Sequence, residues 1–178
     1  MSEILQKLSG GDRRSIGRAD EVVREVLENP TLFAAVFQGM LCNDPLIRMR
    51  AADAVEKITA QRPEYLQPFK RKLLRQVAVV DQQEVRWHVA QMLPRLKLNK
   101  SELKSAVETL LGYMGDKSAI VKTFAMQALA DFAEREVSLR DKVIKVLEEC
   151  TETGSPAMKN RGRKLLKKLT RRHTAAGP

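Results

Sequence analysis

Among the residues able to do chemistry, one aromatic is singled out by its neighbours. Trp87, the sole tryptophan of this 178-residue chain, is followed by His88, then by Gln91 and Arg95 at helical spacings. An indole that reaches solvent beside arginines is suited to clamping a peptide, a base or a phosphate-bearing ligand. Packed against a neighbouring helix, the same ring merely fills a groove. A second group is cationic. Lys159, Arg161, Arg163, Lys164, Lys167, Lys168, Arg171 and Arg172 stand in residues 154–178 without one acid, so this stretch holds +8 of the net +10. Such a cluster suits an anionic surface, nucleic acid included; it equally suits the polar face that caps a stacked array.

Other chemistry lacks its residues. With His88 and His173 the only histidines, neither a histidine-rich metal cluster nor a Ser-His-Asp arrangement has its material. Cys42 and Cys150 are too few for a disulfide framework and are not spaced as a metal pair, so both read as inert packing residues at helix ends. Glu148 and Glu149 diverge as helix neighbours and cannot share acid/base work. Leu8-Ser9-Gly10-Gly11 reads as a turn, since no GxxxxGK[ST] phosphate loop occurs. The expectation is a non-enzymatic protein with no catalytic residue, metal or cofactor. Scarce aromatics, 4% of residues, argue against a platform that stacks single-stranded bases.

The elements that position these residues recur. Ile47-Arg48-Met49-Arg50-Ala51, Val85-Arg86-Trp87-His88-Val89, Val121-Lys122-Thr123-Phe124-Ala125 and Met158-Lys159-Asn160-Arg161-Gly162 align without gaps, about 37 residues apart. Apolar residues return at +8 (Val55, Leu93, Leu129, Leu166) and +11 (Ile58, Leu96, Phe132, Leu169) from each anchor. Strong helix formers dominate and strand-like alternation is missing, so the fold is all-α. A period of this size marks stacked helix pairs. A loop at Leu8–Arg14 precedes a lead helix from Ala19 to Glu28. The pairs are then Thr31 to Leu41 with Pro45 to Thr59, Glu64 to Val79 with Gln83 to Lys97, Lys100 to Met114 with Ala119 to Glu134, and Leu139 to Cys150 with Pro156 to Arg171. Asp44, Gln82, Asn99 with Glu102, Ser118, Ser138 and Ser155 are the expected cap or turn residues. His173 to Pro178 reads as a frayed tail.

At 100° per residue, anchor, +4, +8 and +11 form the core stripe, while +2 and +6 lie roughly opposite, which places Trp87 and Met49 outward. Arg50, Arg161, His88, Phe124, Lys57, Arg95 and Lys168 stand beside them at +3 and +10. The +1 ladder of Arg48, Arg86, Lys122 and Lys159 lies at the helix side, where it can bond caps or carbonyls between repeats. The N-terminus lacks a signal core, and no apolar run reaches the ~20 residues of a spanning helix. A soluble, cytoplasmic protein with no membrane role is expected.

Asp44-Pro45-Leu46-Ile47-Arg48-Met49-Arg50-Ala51-Ala52 resembles the opening of the second helix of a HEAT repeat, and Asp81 to Ala90 matches with one extra residue. The likeness spans about residues 31 to 170 and drifts in the third and fourth copies, where lysine replaces arginine and serine holds the cap. A bacterial HEAT-repeat (armadillo-like) protein is what it resembles. That resemblance implies a right-handed α-α superhelix, a solenoid of about four helix pairs plus an N-terminal helix, in one domain over 1–178. Its parts are 1–30, repeats 31–62, 63–98, 99–135 and 136–172, and a tail at 173–178. Second helices line the concave face in such arrays, which makes Met49, Arg50, Trp87, His88, Gln91 and Arg95 the implied surface for a macromolecular partner, foremost a protein. Sequence-independent nucleic-acid binding through the basic last helix is the alternative. HEAT-like alkylation-repair DNA glycosylases are similar in size, basicity and repeat type. They pair concave tryptophans with an aspartate one turn away, whereas Gln91 follows Trp87 here and no second tryptophan exists.

Overall fold

A computed structural model describes residues 2–12 and 15–174 of the chain, with side chains through Arg171. The described residues are all-α, with no strand among them. They divide into two compact units, Met1–Leu103 and Lys104–Pro178. No helix is long and apolar enough to cross a membrane among the described residues.

The first unit contains α1 (Glu3–Gln6), α2 (Ala19–Glu28), α3 (Phe33–Gly39) behind a 3-10 turn, α4 (Pro45–Gln61), the single turn α5 (Lys70–Lys72) and α6 (Gln83–Met92). Helices α2 and α3 both pack on α4, and α4 packs on α6. Local chemistry explains where they start. Asp44 accepts from the Leu46 and Ile47 amides at 2.8 and 3.5 Å, and Pro45 fills the first helical position, where its missing N–H costs nothing. Two expected helices are shorter or broken. Residues 64–79 form no single helix: a 3-10 stretch Pro63–Phe69, the turn α5 and a π-helical turn Leu73–Val77 follow one another. Pro68 inside that stretch has no N–H to continue an α ladder. The helix expected to reach Lys97 ends at Met92 and tightens to a 3-10 turn, Leu93–Arg95, around Pro94.

The N-terminal loop is held by one side chain. Arg50, 1% exposed, donates from Nε to the Ser15 carbonyl at 3.1 Å and from Nη2 to that of Asp12 at 3.0 Å. Its Nη1 reaches the carbonyls of Leu8 at 2.9 Å and Gly10 at 2.6 Å, with that of Ser9 at 3.4 Å. Arg50 was expected on a partner-binding face; it lies instead inside a ring of carbonyls. The planar fork meets acceptors 35 to 42 residues away, a geometry a lysine cannot match. Gly17 completes the fit. Its φ is +57°, and a Cβ there would stand 2.8 Å from the guanidinium carbon.

The second unit holds most of α7 (Lys100–Tyr113), then α8 (Ala119–Arg135), α9 (Arg140–Thr153) and α10 (Pro156–Thr174). Asn99 and Glu102 form the expected capping box at the start of α7, each bond 2.9 Å. Ser118 and Ser155 cap α8 and α10. Ser138 does not cap α9: it sits inside a 3-10 turn, and its hydroxyl donates to Glu136 at 2.8 Å. Helix α10 packs on both α8 and α9. The approach to α9 is close enough that a Cβ on Gly162 would run into Thr151 Oγ1. The tail from His173 differs from expectation in that α10 continues to Thr174; residues 175–178, like Arg13, Arg14 and the side chain of Arg172, lie outside the described residues.

The anchor, +4 and +11 positions are buried in all four copies. The +7 residues Ala54, Met92, Ala128 and Leu165 are buried as well, so the core stripe is wider than expected. At +8 only Leu166 of the fourth copy is half-exposed, because α10 buries Leu165 on the neighbouring flank.

Replacing Arg50 by alanine should lower the unfolding free energy by about 2–4 kcal/mol, since several charge-assisted bonds disappear together. Denaturant titration measures this, and limited proteolysis should cut within residues 9–18 of the variant. A variant as stable and as protease-resistant as the parent would refute the clasp.

Candidate functional site

Trp87 is placed by α6, whose anchor residue Val85 and +4 residue Val89 are fully buried and so fix the rotation of the helix. With those on the core side, the +2 indole is half-buried and opens on a cleft of about 350 Å³. Helix α4 contributes Met49, Arg50 and Asp53 to its walls, α6 contributes Glu84, Trp87 and His88, and the clasped loop contributes Ser15 and Ile16. Ile16 is 43% exposed, an apolar side chain left at the rim.

Four of the six residues expected to form a partner surface therefore meet, but only some are open to a partner. Met49 and Trp87 are half-buried and accessible. Arg50 has each of its three nitrogens turned to loop carbonyls. His88 is 9% exposed, because α4 and α6 pack together and the +3 side chain falls between them. Gln91 and Arg95 do not line the cleft. Gln91 bonds back to the Trp87 carbonyl at 3.3 Å, and Arg95 donates to the Thr59 hydroxyl and the Glu56 carbonyl at 2.9 and 2.7 Å while pairing with the Glu56 carboxylate. The flanking arginines are thus engaged within the protein, where they brace α4 and the loop.

Two carboxylates take their place. Asp53, at +6, lies one turn from Met49, and Glu84 lies one turn before Trp87. Lys57 pairs with Asp53 Oδ2 at 2.9 Å and with Asp20 at 2.7 Å. The expectation placed Asp53 on the right face but gave it no role. Glu84 shares the face of Trp87 through i,i+3 spacing, a signal that was present and unused. Ser15 and Ile16 carried no signal, because the loop that brings them is fixed by a contact across 35 residues.

The +1 ladder has a structural role in the first unit. Arg48 donates to the Cys42 carbonyl six residues back and to Gln82 of the following copy, both at 2.9 Å, and Gln82 returns a bond to the Pro45 carbonyl at 2.8 Å. Arg86 repeats the six-residue bond, to the Val80 carbonyl at 3.2 Å, and pairs with Asp81. Lys122 and Lys159 make no such bond among the described residues, as expected of a side chain without the guanidinium fork.

In the second unit the basic cluster is only partly open. Arg161 donates to Gln127 at 2.7 Å, and Lys168 pairs with Glu134. Arg163, Lys164 and Lys167 are exposed on α10, and Lys159 is half-buried. Cys150 is buried beside a separate cavity of about 540 Å³ lined also by Lys122, Val146 and Met158. Burial pushes its thiol up, the wrong direction for a nucleophile. Cys42 is half-buried.

His88 carries the clearest electrostatic perturbation of the cleft. Burial pushes its imidazole down to about 4, with Lys57 and Arg95 acting in the same sense and Glu56 and Glu84 opposing. Its Nδ1 is buried without a hydrogen-bond partner, and its Nε2 stands 4.0 Å from Asp53. The ring is thus neutral at physiological pH. Since the unfolded chain binds the proton first, His88 should withdraw about 3 kcal/mol of stability as pH falls from 6.5 towards 4, with no further loss below. A His88→Gln variant whose stability falls as steeply over that range would refute this.

No protein-family model matches the chain, and no curated protein matches it. Among solved structures it is similar to an engineered protein whose crystal structure comes from the Northeast Structural Genomics Consortium. The TM-score is 0.62 at 19% sequence identity, over 93% of this chain and 79% of that one. At that identity the likeness speaks for the all-α fold alone.

Proposed function

We propose that this chain is a non-enzymatic helical-repeat scaffold of the HEAT type that binds a macromolecular partner, a protein, through the cleft around Trp87. One observation carries the reading: an amphipathic, half-buried indole faces a preformed cleft whose walls come from two helices and a clasped loop. A rigid aromatic anchor beside apolar and carboxylate walls has the composition of an interface hot spot. The bonding of Arg48 with Gln82 supports the scaffold reading, since it ties the first copy to the residue that opens the second helix of the next. Trp87→Ala should weaken partner capture by more than about 1 kcal/mol while leaving helicity intact. Capture of the same partner at undiminished affinity would end this reading.

A second reading, nucleic-acid binding without sequence preference, is favoured by the exposed Arg163, Lys164 and Lys167 on a helix free of acids. Affinity for duplex DNA should then fall with salt at a log–log slope near −0.9 per neutralised phosphate. Neutralising those three residues together should make that slope shallower by about two to three. Absence of any gel shift at low salt would remove the reading.

A further inference from the structure

Among the described residues, the cations around the Trp87 cleft are already engaged. Arg50 is saturated by loop carbonyls, Lys57 is held between Asp20 and Asp53, and Arg95 is held by Glu56 and Thr59. The carboxylates differ in this respect. Asp53 lines the cleft but is paired through its buried Oδ2 with Lys57 at 2.9 Å. Glu84 meets no cation among the described residues; its polar contact is with the neighbouring Gln83 amide at 3.3 Å. Among the described residues, an anion entering the cleft would find one lining cation, Arg50, with its nitrogens turned away, whereas a cation would find carboxylates on two walls and an indole on one of them.

We propose that the cleft receives a basic side chain, the guanidinium or ammonium group of an arginine or lysine presented by the partner protein. The proposal rests on the reading of this cleft as the partner-binding surface. Met49, Ile16 and the indole take the aliphatic stem, and the charged head lies over the ring edge towards Glu84 and Asp53. Such a placement combines cation–π attraction with charge-assisted hydrogen bonds in a part-desolvated site. Oppositely charged partners compensate in the bound state what the free cleft leaves unpaired, so discrimination falls on charge more than on shape.

Because Trp87 is the only tryptophan, its fluorescence reports on the cleft in the unmodified full chain. The probes are N-acetyl-arginine amide and N-acetyl-lysine amide, with N-acetyl-citrulline amide and N-acetyl-norleucine amide as their uncharged counterparts, at low ionic strength. At least one cationic amide should give a saturable change, with its neutral counterpart binding about tenfold more weakly or not at all. Glu84→Gln should weaken the cationic probe about fivefold or more, with circular dichroism unchanged. No saturable change, equal binding of charged and neutral amides, or indifference to Glu84→Gln overturns the proposal. The underlying reading fails separately. A partner lost by Trp87→Ala yet retained by Glu84→Gln keeps the cleft as a binding surface and removes the cation, whereas retention by both variants removes the surface itself.

Discussion

The first unit depends on how one buried positive charge is satisfied. Arg50 is almost fully enclosed, and among the described residues no carboxylate accepts from it; the main-chain carbonyls of residues 8, 9, 10, 12 and 15 do so instead. Removing an ion from water costs several kcal/mol, which only a well-aligned set of acceptors offsets. Five donors in a rigid plane suit that purpose, and a loop that must present its carbonyls inward is correspondingly constrained. The cleft follows from this constraint. Ser15 and Ile16 stand beside Trp87 because the same loop is folded onto α4, so the shape of the candidate site is set by a residue whose nitrogens are engaged by the loop.

Features that rest on local chemistry or on the period were legible in the sequence. Asp44, Ser118, Ser155 and the Asn99–Glu102 box cap where expected because an N-cap needs only residues two or three positions away. The core stripe was legible because burial recurs with the repeat. Arg50 was not, since its partners are carbonyls, which every residue carries and no pattern marks. His88 was misplaced for a related reason. Helical angle alone puts +3 near the surface, but the close packing of α4 on α6 covers it. The broken stretch 63–77 shows the converse case, in which Pro68 was visible and its effect on the ladder was left out of account.

Within the repeat, arginine and lysine at the same position have different consequences. Arg48 and Arg86 each bridge to a carbonyl six residues back while holding a second group. That double engagement requires a fork, and it turns a surface charge into part of the turn between helices. Lysine at Lys122 and Lys159 keeps the charge without the bridge, so the third and fourth copies must hold their turns by other means, and the serine caps of α8 and α10 are one such means.

The distribution of acids completes the contrast between the units. In the first unit the positive side chains near the outer face find internal acceptors: Arg95 finds Glu56, Lys57 finds Asp20 and Asp53, and Lys70 finds Glu102 at 2.7 Å. What the Trp87 cleft itself leaves open among the described residues is Glu84 and the indole. In α10 the corresponding stretch of sequence has no acid of its own; Lys168 and Arg161 reach partners on α8. Arg163, Lys164 and Lys167 keep their charge in water, where mutual repulsion on one helix costs a few tenths of a kcal/mol per pair. The described residues thus leave an indole beside Glu84 at one cleft of the first unit and a row of basic side chains on α10 of the second. If each is a binding surface, as proposed above, the two call for ligands of opposite charge.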